Sequence, residues 1–127
     1  MNRRIVGGLM LAGLLMLGPG LANAAKSFST QVTITATRNV PFTGYRISGT
    51  VASSDKTCVK GRLVKVYVRR AVDRAFYKSA QAVAKSDGKW ALQKNHPLAP
   101  GKYYAKADRK GSCRAAKSKT ITGSPYY

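Results

Sequence analysis

Apolar and polar residues alternate one by one in several short segments of this chain. In segment 63–69, LVKVYVR, valines occupy every second position, with lysine, tyrosine and arginine between or after them. Segment 102–107, KYYAKA, also divides into two faces, one of them carrying two lysines and a tyrosine. A period of two places successive side chains on opposite faces of a β-strand. The pattern predicts strands with one buried face and argues against a helical bundle.

Further strands are predicted around these two, separated by turn residues. Alternation continues through 28–36 and 45–51, and a last strand is predicted within 115–122. The facing of the last strand stays open, because Ile121 shares parity with Lys117 and Lys119. The dipeptide Asp87-Gly88 predicts a hairpin. About seven short strands with turns between them indicate an all-β fold, a single antiparallel β-sandwich.

Segment 71–85 fits two kinds of secondary structure. Val72, Phe76, Ala80 and Val83 recur at helical spacing, whereas the alanines at 80, 82 and 84 alternate as in a strand. We favour a strand that ends near Ser86, because the predicted hairpin needs a partner strand before its turn. A short helix stays the alternative.

The first 24 residues have the features of a secretory signal peptide. Arg3 and Arg4 precede an apolar run, and Ala22-Asn23-Ala24 fits a cleavage site. A retained membrane anchor is the alternative, but the apolar run is short for a bilayer span. Cleavage leaves 103 residues with a net charge of +17 and no transmembrane anchor. We therefore predict a secreted or periplasmic protein, with a β-sandwich domain over 25–122 and a flexible tail over 123–127.

The exported chain has few residues for a core, and its two cysteines can compensate. All three methionines lie in the predicted leader, and three leucines remain after it. An oxidising compartment favours a disulfide between Cys58 and Cys113, worth about 4 kcal/mol in the chain-entropy model. Free thiols or metal ligands are the alternatives. His96 is the sole histidine that could join the cysteines in a metal site, which makes such a site a poor fit.

Four short motifs occur in a suggestive order. They are Ser48-Gly49-Thr50-Val51, Val64-Lys65-Val66-Tyr67, Ser86-Asp87-Gly88-Lys89-Trp90 and Leu98-Ala99-Pro100-Gly101-Lys102-Tyr103. Together they resemble the transthyretin-like, or carboxypeptidase-regulatory-like (prealbumin-like), modules over about residues 45–121. The resemblance implies a Greek-key sandwich of seven strands that serves in structure, adhesion or binding. The hydrolases that resemble this fold need several histidines and a C-terminal Tyr-Arg-Gly-Ser, which this chain lacks.

The residues themselves also argue against an enzyme and against a cofactor. The chain contains no glutamate, and its four acids are all aspartates. A catalytic His96 would need an orienting carboxylate and a nucleophile, and no motif supplies them. Trp90 is expected in the core, and Tyr103 is expected to bury its ring and bond its hydroxyl to the backbone.

Cations interleaved with tyrosines on outward strand positions form the one candidate site. Such a set attracts polyanions by charge, and exposed rings stack on sugars or bases. We predict a binding module for an anionic polysaccharide or envelope polymer, with no specific nucleic acid. The alternative is a non-catalytic structural or accessory subunit with a protein partner, whose charge serves solubility. The candidate residues are Lys65, Tyr67, Arg69, Lys102, Tyr104, Lys106, Arg109, Lys110, Arg114, Lys117 and Lys119.

Overall fold

The structure, a computed structural model, describes residues 27–38 and 44–123. The predicted signal peptide and residues 124–127 of the predicted tail lie outside this part. The described residues form a short 3-10 turn at Lys56–Cys58 and nine strands. The strands are β1 (Thr30–Val32), β2 (Thr35–Arg38), β3 (Tyr45–Ser53), β4 (Leu63–Arg69), β5 (Tyr77–Val83), β6 (Lys89–Lys94), β7 (Gly101–Ala107), β8 (Ala116–Lys117) and β9 (Ile121–Gly123).

The strands form two antiparallel sheets. The larger sheet has the order β9–β7–β4–β5, with β8 also paired to β7. In the smaller sheet β3 is central, with β1 and β2 along one edge and β6 along the other. Within the described ranges, no helix is long and apolar enough to cross a membrane. The predicted all-β, sandwich-like class is confirmed at this level.

The strand number differs from the predicted seven because two predicted strands are each divided. Both β1 and β2 pair with the same edge of β3. At Thr33, which lies between them, the Thr50 N–H donates to the Thr33 hydroxyl at 2.9 Å instead of to a backbone carbonyl, and this interrupts the ladder. On the edge of β7, Lys117 lies opposite Lys106 and Ile121 opposite Tyr103. One extra residue between β8 and β9 therefore reverses parity. It turns Ile121 toward the core and Lys117 outward, which answers the question of facing left open by the sequence.

Within segment 71–85, residues Tyr77–Val83 form strand β5 rather than a helix, as favoured, whereas 71–76 form turns and bends. The predicted hairpin at Asp87-Gly88 is wrong. After the turn, β6 pairs with β3 rather than with β5. Gly88 has a positive φ of 85°, and its carbonyl accepts the Val51 N–H at 2.8 Å. A side chain at Gly88 would collide with the Val51 carbonyl oxygen. The turn therefore carries the chain from the larger sheet to the smaller one.

The core lies between the two sheets. Val64, Val66 and Val68 of β4 are buried, and so is Trp90 of β6, as predicted. Trp90 lies opposite Gly49, where a side chain would collide with the Thr33 carbonyl and crowd the indole ring. A small residue at this position thus makes room for the largest residue in the core.

Two further connections confirm sequence predictions. Cys58 and Cys113 form a disulfide across a Cα–Cα distance of 5.5 Å, and both residues are buried. Tyr103 is buried, and its hydroxyl donates to the Ala99 carbonyl at 2.5 Å. The disulfide is compatible with an extracellular or periplasmic location.

Candidate functional site

The register of the larger sheet arranges cations and tyrosines in rows across its outer surface. Lys65, Tyr67 and Arg69 of β4 lie opposite Lys106, Tyr104 and Lys102 of β7. Lys117 of β8 adds a third lysine to the Lys65–Lys106 row. We call these seven residues the basic face. The lysine row and the Arg69–Lys102 row are four positions apart along the strands, a distance of about 13 Å.

The aromatic rings of the basic face contact one another and neighbouring side chains. Tyr67 and Tyr104 stack with ring centroids 5.0 Å apart and an interplanar angle of 10°. Phe76 meets Tyr104 edge-on at 4.8 Å, and the Lys117 ammonium lies 4.9 Å from the Tyr104 ring centroid. The Tyr104 ring is therefore occupied by protein contacts. This leaves less ring surface for stacking on a ligand than the sequence led us to expect.

Asp108 is the one acidic residue that forms an ion pair with the basic face in the described part of the chain. Its carboxylate lies 2.5 Å from the Lys65 ammonium and 3.6 Å from that of Lys106. The hydrogen bond from Lys65 is the main cause that lowers the pKa of Asp108, and it raises the pKa of Lys65. Two of the five cations of the basic face are thus partly neutralised, and Arg69, Lys102 and Lys117 carry no ion pair among described residues.

Replacing Asp108 with asparagine is expected to weaken the fold slightly and strengthen polyanion binding several-fold. The loss of stability at neutral pH is small, because the ion pair between Lys65 and Asp108 is partly exposed to solvent and is therefore screened. Since the folded state lowers the pKa of Asp108, this stabilisation is complete above the carboxyl's ordinary range and disappears as pH falls through the lowered value. Urea unfolding at two pH values measures the stability, and retention on an anionic resin measures the binding. Weaker retention of Asp108→Asn would contradict this electrostatic assignment.

The other predicted residues lie at the margin of the basic face. Arg109 and Lys110 are exposed in the turn beyond the end of β7. Arg114 is directed to the N-terminal segment, where its Nε donates to the Ser27 hydroxyl at 2.9 Å. Lys119 is exposed in the irregular segment between β8 and β9. The sheet register thus unites seven of the eleven predicted residues and leaves these four outside its rows.

Sequence reasoning missed three basic residues with distinct positions. Lys78 of β5 lies opposite Tyr67 and extends the cationic surface by one strand. Arg70 follows β4 and is held by Asp73, whose carboxylate accepts from the Arg70 N–H at 2.7 Å and from its guanidinium. Both positions depend on long-range register or loop geometry. Neither has a local sequence signal beyond charge.

Arg62 is the third, and it is buried rather than available to a ligand. Only 1% of its surface is exposed, and its guanidinium donates four hydrogen bonds of 2.8–3.1 Å. The acceptors are the Thr30 hydroxyl and the carbonyls of Cys58, Asp108 and Arg114. Desolvation lowers the pKa of Arg62, and Asp108 acts in the opposite direction. Arg62 therefore links β1, through Thr30, to the chain at Cys58 and at Arg114, which is next to Cys113.

His96 is exposed, and its ring packs edge-on against Tyr45 with centroids 5.5 Å apart. Within residues 27–38 and 44–123, no three His, Cys or Asp side chains lie together as metal ligands would. No protein-family model matches this chain, and no curated protein matches it significantly.

Proposed function

We propose that this protein is a non-catalytic, exported binding module that holds an anionic polymer on its basic face. The polymer class is an acidic polysaccharide or another anionic polymer of the cell envelope. We further propose that the strands follow a Greek-key order and that the chain is a transthyretin-like module. The two sheets, the buried Trp90 and the Tyr103 hydroxyl bond support the assignment to the transthyretin-like modules.

The observation that carries the proposal is the density of cations on one sheet surface. Five cations from three adjacent strands share this surface with one pairing carboxylate. Neighbouring strands lie about 4.8 Å apart, so the row of Lys65, Lys106 and Lys117 is a closely spaced line of positive charge. Like charges placed side by side repel one another, and a polyanion relieves that repulsion when it binds.

The contacts of the tyrosines favour charge recognition over ring stacking. Single-stranded nucleic acids gain much of their affinity when bases stack on exposed aromatic rings. Here Tyr67 and Tyr104 stack on each other, and Lys117 lies over the Tyr104 ring. The groups offered to a ligand are therefore the tyrosine hydroxyls, the lysine ammonium groups and the Arg69 guanidinium. They suit sulfate, phosphate and carboxylate groups on a hydroxyl-rich polymer.

The test compares immobilised dextran sulfate with neutral dextran at about 50 mM salt. Lys106→Gln combined with Lys117→Gln removes two adjacent charges of the basic face. The matched control, Lys89→Gln with Lys94→Gln, removes two exposed charges from β6 of the other sheet. We expect the first pair to weaken binding ten- to thirtyfold, on the order of 1 kcal/mol for each cation, and the control pair much less.

Three outcomes would overturn the proposal. Equal weakening by both pairs would mean that overall charge, rather than the basic face, holds the polymer. Absence of binding by the unaltered protein, together with capture of a defined protein partner, would favour the structural or accessory subunit instead. Binding to neutral dextran as strong as to dextran sulfate would also contradict recognition by charge.

A further inference from the structure

A depression of about 450 Å³ lies beside the basic face, where β4, β7 and β9 come to their ends. Among its lining residues are Arg69, Arg70, Asp73, Lys102 and Thr122. Arg70 and Thr122 do not belong to the basic face. The depression therefore has components of its own, although it shares two cations with that surface.

Each cation of the depression is positioned by a contact within the protein. The Arg69 guanidinium lies 5.2 Å from the centroid of the Phe76 ring, and the Lys102 ammonium donates to the Thr122 hydroxyl at 3.0 Å. The Nε of Arg70 donates a hydrogen bond to Oδ2 of Asp73 at 3.2 Å, and the Nη2 of Arg70 donates to Oδ1 at 3.4 Å. Such contacts reduce the conformational entropy that the side chains lose when they bind a ligand.

The charge of the lining fits a dianion. Three cations and one carboxylate leave a net charge of +2, and the carboxylate is already committed to Arg70. The Thr122 hydroxyl accepts from Lys102, so its own hydrogen remains available to a ligand oxygen. A phosphate monoester carries a charge near −2 at neutral pH and three strong acceptor oxygens.

We propose that this depression is a discrete site for a phosphomonoester group. The guanidiniums of Arg69 and Arg70 contact its oxygens together with the Lys102 ammonium and the Thr122 hydroxyl. The remaining volume receives the sugar, glycerol or headgroup that carries the phosphate. This inference goes beyond the proposed function, because it concerns a single small group and uses residues outside the basic face.

The primary test titrates the protein with glycerol 3-phosphate at low salt and follows amide chemical shifts by NMR. We expect saturable binding that Arg70→Gln weakens about tenfold. Thr122→Val is expected to weaken binding to a smaller extent while keeping the strand. Arg74→Gln serves as the control, since Arg74 is exposed in the same connecting segment but does not line the depression.

Ligand charge gives an independent readout. Dimethyl phosphate, a monoanionic diester, is expected to bind at least about tenfold more weakly than the monoester, because it offers fewer charged oxygens. Monoester affinity is also expected to fall roughly tenfold between pH 7.5 and pH 5, as the second phosphate proton is bound near pH 6. Vesicles of phosphatidic acid, compared with the soluble monoester, tell whether the natural source is a lipid headgroup or a soluble molecule.

Three results would overturn the site: no saturable binding of glycerol 3-phosphate, equal effects of Arg70→Gln and Arg74→Gln, or equal affinity for monoester and diester. Failure of the proposed phosphomonoester site can be told apart from failure of the proposed polymer binding on the basic face. Lys106→Gln with Lys117→Gln should leave monoester binding unchanged, because neither residue lines the depression. Arg70→Gln should leave most dextran sulfate binding intact.

Discussion

Replacing Arg62 with methionine is expected to lower the free energy of unfolding by about 3–5 kcal/mol. Methionine fills part of the volume but donates no hydrogen bond. The Thr30 hydroxyl and three carbonyl groups would then lose the donor that they share. Urea unfolding followed by circular dichroism measures the loss.

Two comparison variants separate hydrogen bonding from charge. Arg62→Lys keeps the charge, but one ammonium group cannot reproduce the two-sided geometry of the guanidinium, so we expect an intermediate loss. Arg109→Met removes an exposed arginine and should change stability by no more than about 0.5 kcal/mol. If Arg62→Met cost less than about 1 kcal/mol, the assignment of Arg62 as a buried connector would be wrong.

Removing the disulfide, by Cys58→Ala with Cys113→Ala, is expected to cost about 4 kcal/mol. The bridge closes a loop across a sequence separation of 55 and ties the turn after β3 to the segment before β8. A loss of this size approaches the whole net stability of a small domain. Urea unfolding of the double variant measures this loss. If the double variant is already unfolded without denaturant, the loss exceeds the free energy of unfolding of the unaltered protein.

Reduction of the unaltered protein provides the control for the alanine substitutions. It should lower stability by an amount similar to that in the double variant. The effects of Arg62→Met and of the cysteine variant should also be non-additive, because Arg62 bonds to the Cys58 carbonyl and to that of Arg114, next to Cys113. Unchanged stability after complete reduction would contradict a stabilising role for the disulfide.

Local patterns predicted much of this fold because strand alternation is a local property. The boundaries of β4 and the inward facing of its valines follow directly from LVKVYVR. The sequence also predicts the turn at Asp87-Gly88, but it does not predict that the following strand β6 pairs with β3. That pairing depends on contacts of Val51 and Trp90, which are distant in sequence. The extra residue between β8 and β9 has no sequence signature.

The candidate site was partly predictable for the same reason. Parity placed six residues of β4 and β7 outward, and the register then set them opposite one another. Arg62 could not be distinguished from other basic residues, because its acceptors lie up to 52 positions away in sequence. Arg70 was missed because its orientation depends on Asp73 and on the shape of the connecting segment.

The salt dependence of polymer binding tests the central claim most directly. When a protein displaces condensed counterions, the logarithm of its affinity falls linearly with the logarithm of salt concentration. For dextran sulfate, we expect Lys106→Gln with Lys117→Gln to reduce this slope by about two, near one for each lost contact. The pair Lys89→Gln with Lys94→Gln should keep the original slope. Equal reductions in both variants would contradict binding at the basic face.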